Sequence, residues 1–117
     1  MTMKQYEIWL VNLDPTFGSE PGKIRPALIV QSDILNNLNP RTTMICPITT
    51  NVVPASKFLR LNIPKNQSGL EHPSDILIDQ IRSVDNRRFI KLIGNLQSDS
   101  IKVLKANLKL LLDLEDE

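Results

Sequence analysis

Charged side chains that could act on a phosphate lie close together in the segment DPTFGSEPGKIRP. Glu20, Lys23 and Arg25 lie within six residues, and Gly18 and Gly22 allow sharp turns between them. A carboxylate beside a guanidinium and an ammonium, with free backbone amides nearby, suits the stabilisation of charge on a phosphate. An exposed loop with incidental charges is the alternative interpretation of the same pattern.

Two further candidate positions lie on predicted strands. Thr49 and Thr50 follow an apolar run, and a threonine hydroxyl at a strand end can donate to a phosphoryl oxygen. Ordinary strand threonines are the alternative, because Thr is common in strands. Asp79 and Gln80 lie in the run DILIDQIRSVD, where an unpaired buried carboxylate would be costly. The alternative there is a structural acid, paired with Arg82 or with a backbone amide.

The counts of cysteine and histidine exclude several kinds of site. The only cysteine, Cys46, excludes an internal disulfide and a zinc site of four cysteines or of two cysteines and two histidines. The only histidine, His72, excludes a ribonuclease site built on two imidazoles. No spacing of acids resembles a two-metal nuclease. We expect no metal and no cofactor, a buried Cys46, and a solvated His72 in a polar loop.

Length and charge indicate one small domain with a locally basic surface. The chain has 117 residues, and we expect residues 1–117 to form a single domain. Aromatic residues make up 4%, which argues against a platform of several stacking rings. The net charge is +1, but without residues 113–117 the chain has fourteen bases and nine acids. Neither a signal peptide nor a membrane span is apparent, so we expect a cytoplasmic protein.

Short apolar runs separated by eight prolines and four glycines predict a mainly β domain. Pro47 predicts that its strand is an edge strand or is bulged. From Ser98, as the N-cap, helical spacing predicts a helix over 98–114 that packs on the sheet or supports a dimer. The acidic residues 113–117 are expected to fray. The predicted strands cover 6–13, 26–31, 42–49, 55–63, 75–84 and 89–96, an arrangement typical of a small barrel or a strongly bent sheet.

Three blocks of this sequence, in this order and at these distances, resemble the MazF/PemK family of toxin endoribonucleases. The blocks are EIWLVNLDPTFGSEPGKIRPALIVQSD, CPITT and DQIRSVD. The resemblance implies an SH3-like small β-barrel with a C-terminal α-helix and a homodimer. It also implies ribosome-independent and metal-independent cleavage of single-stranded mRNA at short sequences. The implied partner is a cognate antitoxin that lays an extended acidic segment over the RNA groove.

By the same resemblance, Arg25 and Thr49 match the catalytic residues of the chromosomal MazF type. The RNA 2′-hydroxyl would attack the adjacent phosphorus and leave a 2′,3′-cyclic phosphate and a 5′-hydroxyl. Arg25 would neutralise the charge that develops on phosphorus, and Thr49 would hold a non-bridging oxygen. Glu20 is implied either as the base or as the residue that orients Arg25.

Other positions that match the family's RNA groove are expected to bind RNA, with the Phe17 ring stacking on a base. One departure limits the match, because plasmid-borne PemK-type members have an Arg two residues before the acid, where this chain has Leu77. The acid Asp79 is therefore expected to support the site or to bind RNA. The predicted RNA-binding residues are Phe17, Ser19, Lys23, Thr50, Asp79 and Gln80.

Two other functions remain open from the sequence. A toxin of the CcdB type shares the barrel but binds DNA gyrase, and it has no need of the triplet Glu20, Arg25 and Thr49. A plain SH3-like interaction module is the third interpretation. The low aromatic content argues against the aromatic-lined peptide groove of such modules.

Overall fold

The chain folds into a mainly antiparallel β domain with one long helix at its C-terminal end. The computed structural model describes residues 2–114. Two short 3₁₀ turns, Ile78–Gln80 and Asn86–Arg88, flank the sixth strand. The strands and helices are β1 (Glu7–Asn12), β2 (Ile24–Ile29), α1 (Asp33–Asn36), β3 (Thr42–Thr49), β4 (Arg60–Ile63), β5 (Ser74–Leu77), β6 (Arg82–Asp85), β7 (Phe89–Asn95) and α2 (Ser98–Leu112).

The strands form one sheet in the order β4-β5-β3-β2-β1-β7, with β6 also paired to β3. Among residues 2–114 no ladder joins the two end strands, β4 and β7, so the sheet is not closed. The prediction of a small barrel-like β fold with a C-terminal helix is confirmed. None of the helices in this part of the chain is long and apolar enough to cross a membrane.

Strand β3 holds the sheet together because it pairs with three other strands. One side of β3 pairs with β2, while the other pairs with β6 from Thr42 to Ile45 and with β5 at Ile48 and Thr49. Pro47 lies in the gap where β6 ends and β5 begins. The expectation of an edge strand is therefore wrong, and the proline is accommodated where the ladder is already interrupted.

Two hydrophobic clusters cover opposite faces of the central strands. The first core lies between the sheet and α2 and includes Leu28, Ile48 and the fully buried Leu104 of the helix. The second core lies on the other face and includes Ala27 and Ile45. Because successive strand residues alternate between faces, β1, β2 and β3 have apolar side chains on both sides.

The helix α2 differs from its prediction at both ends. Ser98 is its first residue rather than its N-cap, since Gln97 occupies that position and its side chain makes no capping hydrogen bond. The helix ends at Leu112, where Asp113 adopts a left-handed φ of 54° that stops the helical repeat. The rest of the predicted acidic tail, 115–117, lies outside the described residues.

Three predicted strands change their limits by two residues or more. The run 75–84 is interrupted by the 3₁₀ turn Ile78–Gln80, because the chain leaves its pairing with the end of β3 and resumes pairing with the start of β3. The predicted strand 55–63 is reduced to Arg60–Ile63. Strand β2 begins at Ile24 and not at Pro26.

Candidate functional site

The register of β2 and β3 brings the two predicted catalytic residues together. The last ladder pair is Ala27 with Pro47, and continuing the same register by two residues puts Arg25 opposite Thr49. Opposed residues in antiparallel strands share one face of the sheet, at Cβ separations of about 4.5–5.5 Å. Ala27 belongs to the second core, so both candidates extend the face that this core covers.

The guanidinium of Arg25 is held at one nitrogen and available at the others. Its Nε donates to the carbonyl of Gly22 at 2.7 Å, and the side chain is half-buried. Within residues 2–114 its two terminal nitrogens have no hydrogen-bond partner. A planar guanidinium with two free terminal nitrogens can form a bidentate pair with a phosphate.

The hydroxyl of Thr49 is oriented by the residue that follows the strand. Its Oγ1 accepts the backbone N–H of Asn51 at 3.1 Å. This bond occupies a lone pair of the hydroxyl and leaves its hydrogen free to donate. The half-buried Thr49 can therefore donate a hydrogen bond to an anion that lies beside Arg25.

Glu20 and Phe17 lie in the loop of residues 13–23, which we name the Phe17 loop. The Glu20 carboxylate accepts the backbone N–H of Phe17 at 3.1 Å, and the Phe17 carbonyl accepts the Glu20 N–H at 3.3 Å. This tight turn directs the Phe17 ring outward, where it is 87% exposed. An exposed ring at the tip of a charged loop is suited to stacking on a base.

Sequence reasoning missed the partner of Glu20. The Oε2 of Glu20 lies 3.7 Å from Nη1 of Arg82, and none of its described contacts reaches Arg25. Arg82 pairs with Ile45 across β3 and β6, so it shares a face with the second core and with Thr49. Its Nη1 is buried without a hydrogen-bond partner. The signal in the sequence is that Arg82 lies two residues before the apolar Val84, so both side chains lie on the same face of β6.

The base of the Phe17 loop is closed by backbone and carboxylate contacts. Lys23 donates its backbone N–H to Oδ1 of Asp14 at 2.8 Å and accepts the N–H of Leu13 at 2.9 Å. A Cβ at Gly22 would lie 2.5 Å from Oδ1 of Asp14, so a larger residue there would have to displace the Asp14 and Thr16 side chains. Arg88 donates to the carbonyls of Asn12 and Asp14. The ends of the loop are fixed, while the Lys23 and Ser19 side chains remain exposed.

The other predicted binding residues are not brought to Arg25 by any described contact. Thr50 lines a separate cleft with Pro26, His72 and Lys91. Pro26 follows Arg25 on β2, and successive strand residues point to opposite faces. Thr50 therefore belongs to a different surface from Arg25.

The sequence predicts that Asp79 and Gln80 lie in a strand, but the structure places them in a 3₁₀ turn. Asp79 is exposed and, among residues 2–114, neither pairs with Arg82 nor accepts a backbone N–H, so the alternative of a structural acid at this position is wrong. Cys46 is buried, as expected. Burial raises the pKa of its thiol to about 12, and the negative charge of Asp79 contributes to a smaller extent. Cys46 is therefore a neutral thiol and not a nucleophile.

The acid that is buried is Asp75, on β5, with 2% of its surface exposed. Its carboxylate accepts from the Val53 N–H at 2.8 Å, from Nη1 of Arg60 at 3.1 Å and from Nδ2 of Asn62 at 3.2 Å. Val53 lies in the loop of residues 50–59, which we name the Thr50 loop. Asp75 therefore ties the loop that follows Thr49 to the sheet.

No group of three or more His, Cys, Asp or Glu side chains that could hold a metal ion occurs among residues 2–114. The polar groups on the face of Arg25 and Thr49 include the donors of two guanidiniums and one hydroxyl, together with the Glu20 carboxylate, which accepts hydrogen bonds. Such a set can bind and stabilise an anion that gains charge, as a phosphate does during transfer.

Comparison with known proteins identifies relatives over nearly the whole chain. Residues 4–112 match the family described as PemK-like, MazF-like toxin of type II toxin-antitoxin system. The chain is 32% identical over 116 residues to endoribonuclease EndoA of Bacillus subtilis, covering 99% of each protein. It is 34% identical over 116 residues to endoribonuclease MazF9 of Mycobacterium tuberculosis, covering 96% of this chain and 98% of that protein.

Solved structures share the fold at lower sequence identity. MazF from Deinococcus radiodurans matches with a TM-score of 0.81 and 23% identity, over 97% of this chain and 99% of that one. The toxin MazF-mt6 of Mycobacterium tuberculosis matches with a TM-score of 0.77 and 22% identity, over 94% and 99% of the two chains. These structural similarities establish the fold. Evidence about the reaction comes from the sequence relatives and from the residues of the site.

Proposed function

Because the chain belongs to the PemK-like, MazF-like family of type II toxin–antitoxin toxins, we propose that it cleaves single-stranded mRNA as a sequence-specific endoribonuclease. The observation that supports this most is that the register of β2 and β3, continued by two residues beyond its last pair, puts Arg25 opposite Thr49, with free donors on both side chains. A gyrase binder on the same barrel has no need of such a pair. The relatives at 32% and 34% identity are both named endoribonucleases, which favours this function over gyrase binding.

The reaction requires a nucleophile, and the RNA supplies it. The 2′-oxygen forms a bond to the adjacent phosphorus, and the bond from phosphorus to the 5′-oxygen of the next nucleotide breaks. The products are a 2′,3′-cyclic phosphate and a 5′-hydroxyl. The protein must then stabilise a phosphorane-like charge, remove the 2′-hydroxyl proton and let the leaving oxygen take one up.

Arg25 and Thr49 stabilise the charge of the phosphorane-like transition state. The terminal nitrogens of Arg25 neutralise the charge on the non-bridging oxygens, and the Thr49 hydroxyl donates to one of them. An arginine side chain stays charged at all ordinary pH values, so it is a poor proton donor and acts through its charge. Glu20 is the exposed carboxylate that this surface offers as the base, with Arg82 beside it.

Binding of RNA uses the exposed parts of the Phe17 loop. Phe17 stacks on a base, while Lys23 and Ser19 contact the sugar–phosphate backbone. The acidic segment of a cognate antitoxin competes for the same cationic surface and neutralises the toxin in the cytoplasm. Exposed apolar side chains on β2 and β7, including Ile24 and Leu92, support association with a second copy into a homodimer.

The test compares Arg25→Ala with Arg87→Ala, which removes an arginine that is 91% exposed and lies outside the site. Purified proteins are incubated with a mixed RNA transcript in EDTA, and the new 5′ ends are mapped. The wild type and Arg87→Ala are expected to give discrete cuts with 5′-hydroxyl ends. Arg25→Ala is expected to lower the rate at least about 100-fold, the effect of losing an oxyanion donor. Intact RNA with the wild type, or full activity of Arg25→Ala, contradicts the proposal.

A further inference from the structure

Asp75 is the one charged residue that is buried among residues 2–114. A buried carboxylate is costly unless several donors satisfy it, and a well-packed apolar pair in its place is often as stable or more so. Arg60, Asn62 and the Val53 N–H supply those donors. The charge therefore calls for an explanation beyond packing.

Asp75 is the ladder partner of Thr49. The register of β3 with β5 opposes Ile48 to Ile76, both in the first core, and Thr49 to Asp75. The side chains of Thr49 and Asp75 thus share the face that points away from the first core. Ladder partners lie at Cβ separations of about 4.5–5.5 Å, so the buried carboxylate is a neighbour of the predicted catalytic hydroxyl.

One nitrogen of Arg60 links Asp75 to Thr49 through a chain of hydrogen bonds. Its Nη1 donates to the carboxylate of Asp75 at 3.1 Å and to the carbonyl of Asn51 at 2.7 Å. The N–H of the same Asn51 donates to Oγ1 of Thr49 at 3.1 Å. Asn51 is therefore held at its carbonyl by the buried ion pair, while its N–H holds the Thr49 hydroxyl.

We propose that Arg60 and Asp75 are positioning residues that orient the Thr49 hydroxyl for phosphate binding, through the backbone of Asn51. This rests on the proposed endoribonuclease function. With one lone pair of Oγ1 occupied by the Asn51 N–H, the hydroxyl hydrogen is left to donate to an anion beside Arg25. Without Arg60, Asn51 loses the contact that fixes its carbonyl, and the hydroxyl loses its fixed direction.

The orientation of the Thr49 hydroxyl affects the rate of the reaction more than it affects RNA binding. A donor that is pre-oriented toward a developing charge lowers the barrier, because no reorganisation is needed during the reaction. Contacts of the Phe17 loop with RNA do not depend on Asn51. The expected consequence is a fall in kcat with little change in KM.

The experiment is a double-mutant cycle between Arg60→Met and Thr49→Val, with Arg60→Lys as the conservative variant. A lysine ammonium can replace the single nitrogen that serves both acceptors. In the wild-type background we expect Arg60→Met to lower kcat about 10- to 100-fold, the scale of a misplaced catalytic group. Arg60→Lys is expected to stay within about 3-fold of wild type, since it restores the same two contacts. In the Thr49→Val background Arg60→Met should have no further effect on kcat.

Additive effects in the cycle, or an unchanged kcat in Arg60→Met, would overturn the positioning role. Denaturant unfolding of each variant separates loss of fold from loss of rate. Amide exchange at Asn51 gives a measurement without RNA, and Arg60→Met is expected to accelerate it while Arg60→Lys does not. A wild type that cleaves no RNA sinks the proposed function alone; unaccelerated exchange of Asn51 in Arg60→Met sinks the orienting contact itself.

Discussion

Two loops border the face that carries Arg25 and Thr49, and they are anchored in opposite ways. The Thr50 loop is tied to Asp75, whose carboxylate is 2% exposed. The Phe17 loop folds onto Glu20, whose side chain is 45% exposed and lies 3.7 Å from Arg82. Both loops use a carboxylate that accepts a backbone N–H, but one carboxylate is inside the protein and the other faces water.

The difference separates a fixed element from an adaptable one. A buried, fully hydrogen-bonded charge has a strong preference for one geometry, since removing a partner leaves an uncompensated charge. A partly exposed ion pair is screened by solvent and contributes little. The Thr50 loop thus holds the Thr49 hydroxyl in a fixed orientation through the Asn51 N–H, while the Phe17 loop can adjust to the base that it contacts.

The largest expected effect comes from breaking the rigid side of this comparison. Asp75→Ala removes the buried acceptor of the Val53 N–H, of the Asn62 amide and of one of the two Arg60 hydrogen bonds, so we expect the free energy of unfolding to fall by about 3–5 kcal/mol. Denaturant titration measures it. Asp85→Ala is the control for a surface carboxylate, because Asp85 pairs with the exposed Arg87 and accepts its N–H at 2.8 Å, so its loss should have a clearly smaller effect. Equal effects of the two variants would mean that burial does not distinguish the carboxylates.

A smaller effect, on RNA binding alone, is expected from a substitution in the Phe17 loop. Phe17→Ala removes a ring that stacks on RNA, and base stacking contributes about 1–3 kcal/mol. KM should rise about 10-fold or more, with the free energy of unfolding unchanged because the ring is 87% exposed. Phe58→Ala is the control in the Thr50 loop, where the ring is 63% exposed. If KM rises equally in both variants, the two loops bind RNA alike.

The smallest effect on stability is expected from Glu20→Gln. The pair of Glu20 with Arg82 is partly exposed and 3.7 Å long, so we expect it to contribute less than about 1 kcal/mol and to be weakened by salt. Unfolding at low and at high salt measures the contribution. A large, salt-independent loss of stability would show that the Phe17 loop is anchored as firmly as the Thr50 loop.

Much of the fold could be predicted from the sequence because most of the strands are short apolar runs separated by segments that contain Pro, Gly or Asn. The interruption at Ile78–Gln80 could not, since the apolar run continues through it and only the change of pairing partner along β3 explains the turn. The position of Pro47 inside a central strand has the same cause. A partner that changes within a strand leaves no local pattern to detect.

The candidate site was predictable where the residues lie in compact motifs and not where distant strands supply them. Arg25 and Glu20 lie in one segment, and Thr49 closes a strand. The contacts of Glu20 with Arg82, and of Arg60 with Asp75, join residues 62 and 15 positions apart, and they depend on register. The apolar run DILIDQIRSVD indicated an acid with a structural role, but the buried acid of this run is Asp75 and not Asp79.

The buried thiol of Cys46 has a practical consequence for experiments on this protein. With a pKa near 12 it does not form the thiolate that maleimide reagents require at neutral pH. A cysteine introduced in the exposed Phe17 loop, as in Ser19→Cys, would therefore be the one that such a dye labels in the folded protein. A fluorophore there would report the motion of this loop as RNA or antitoxin arrives, without first removing the native cysteine.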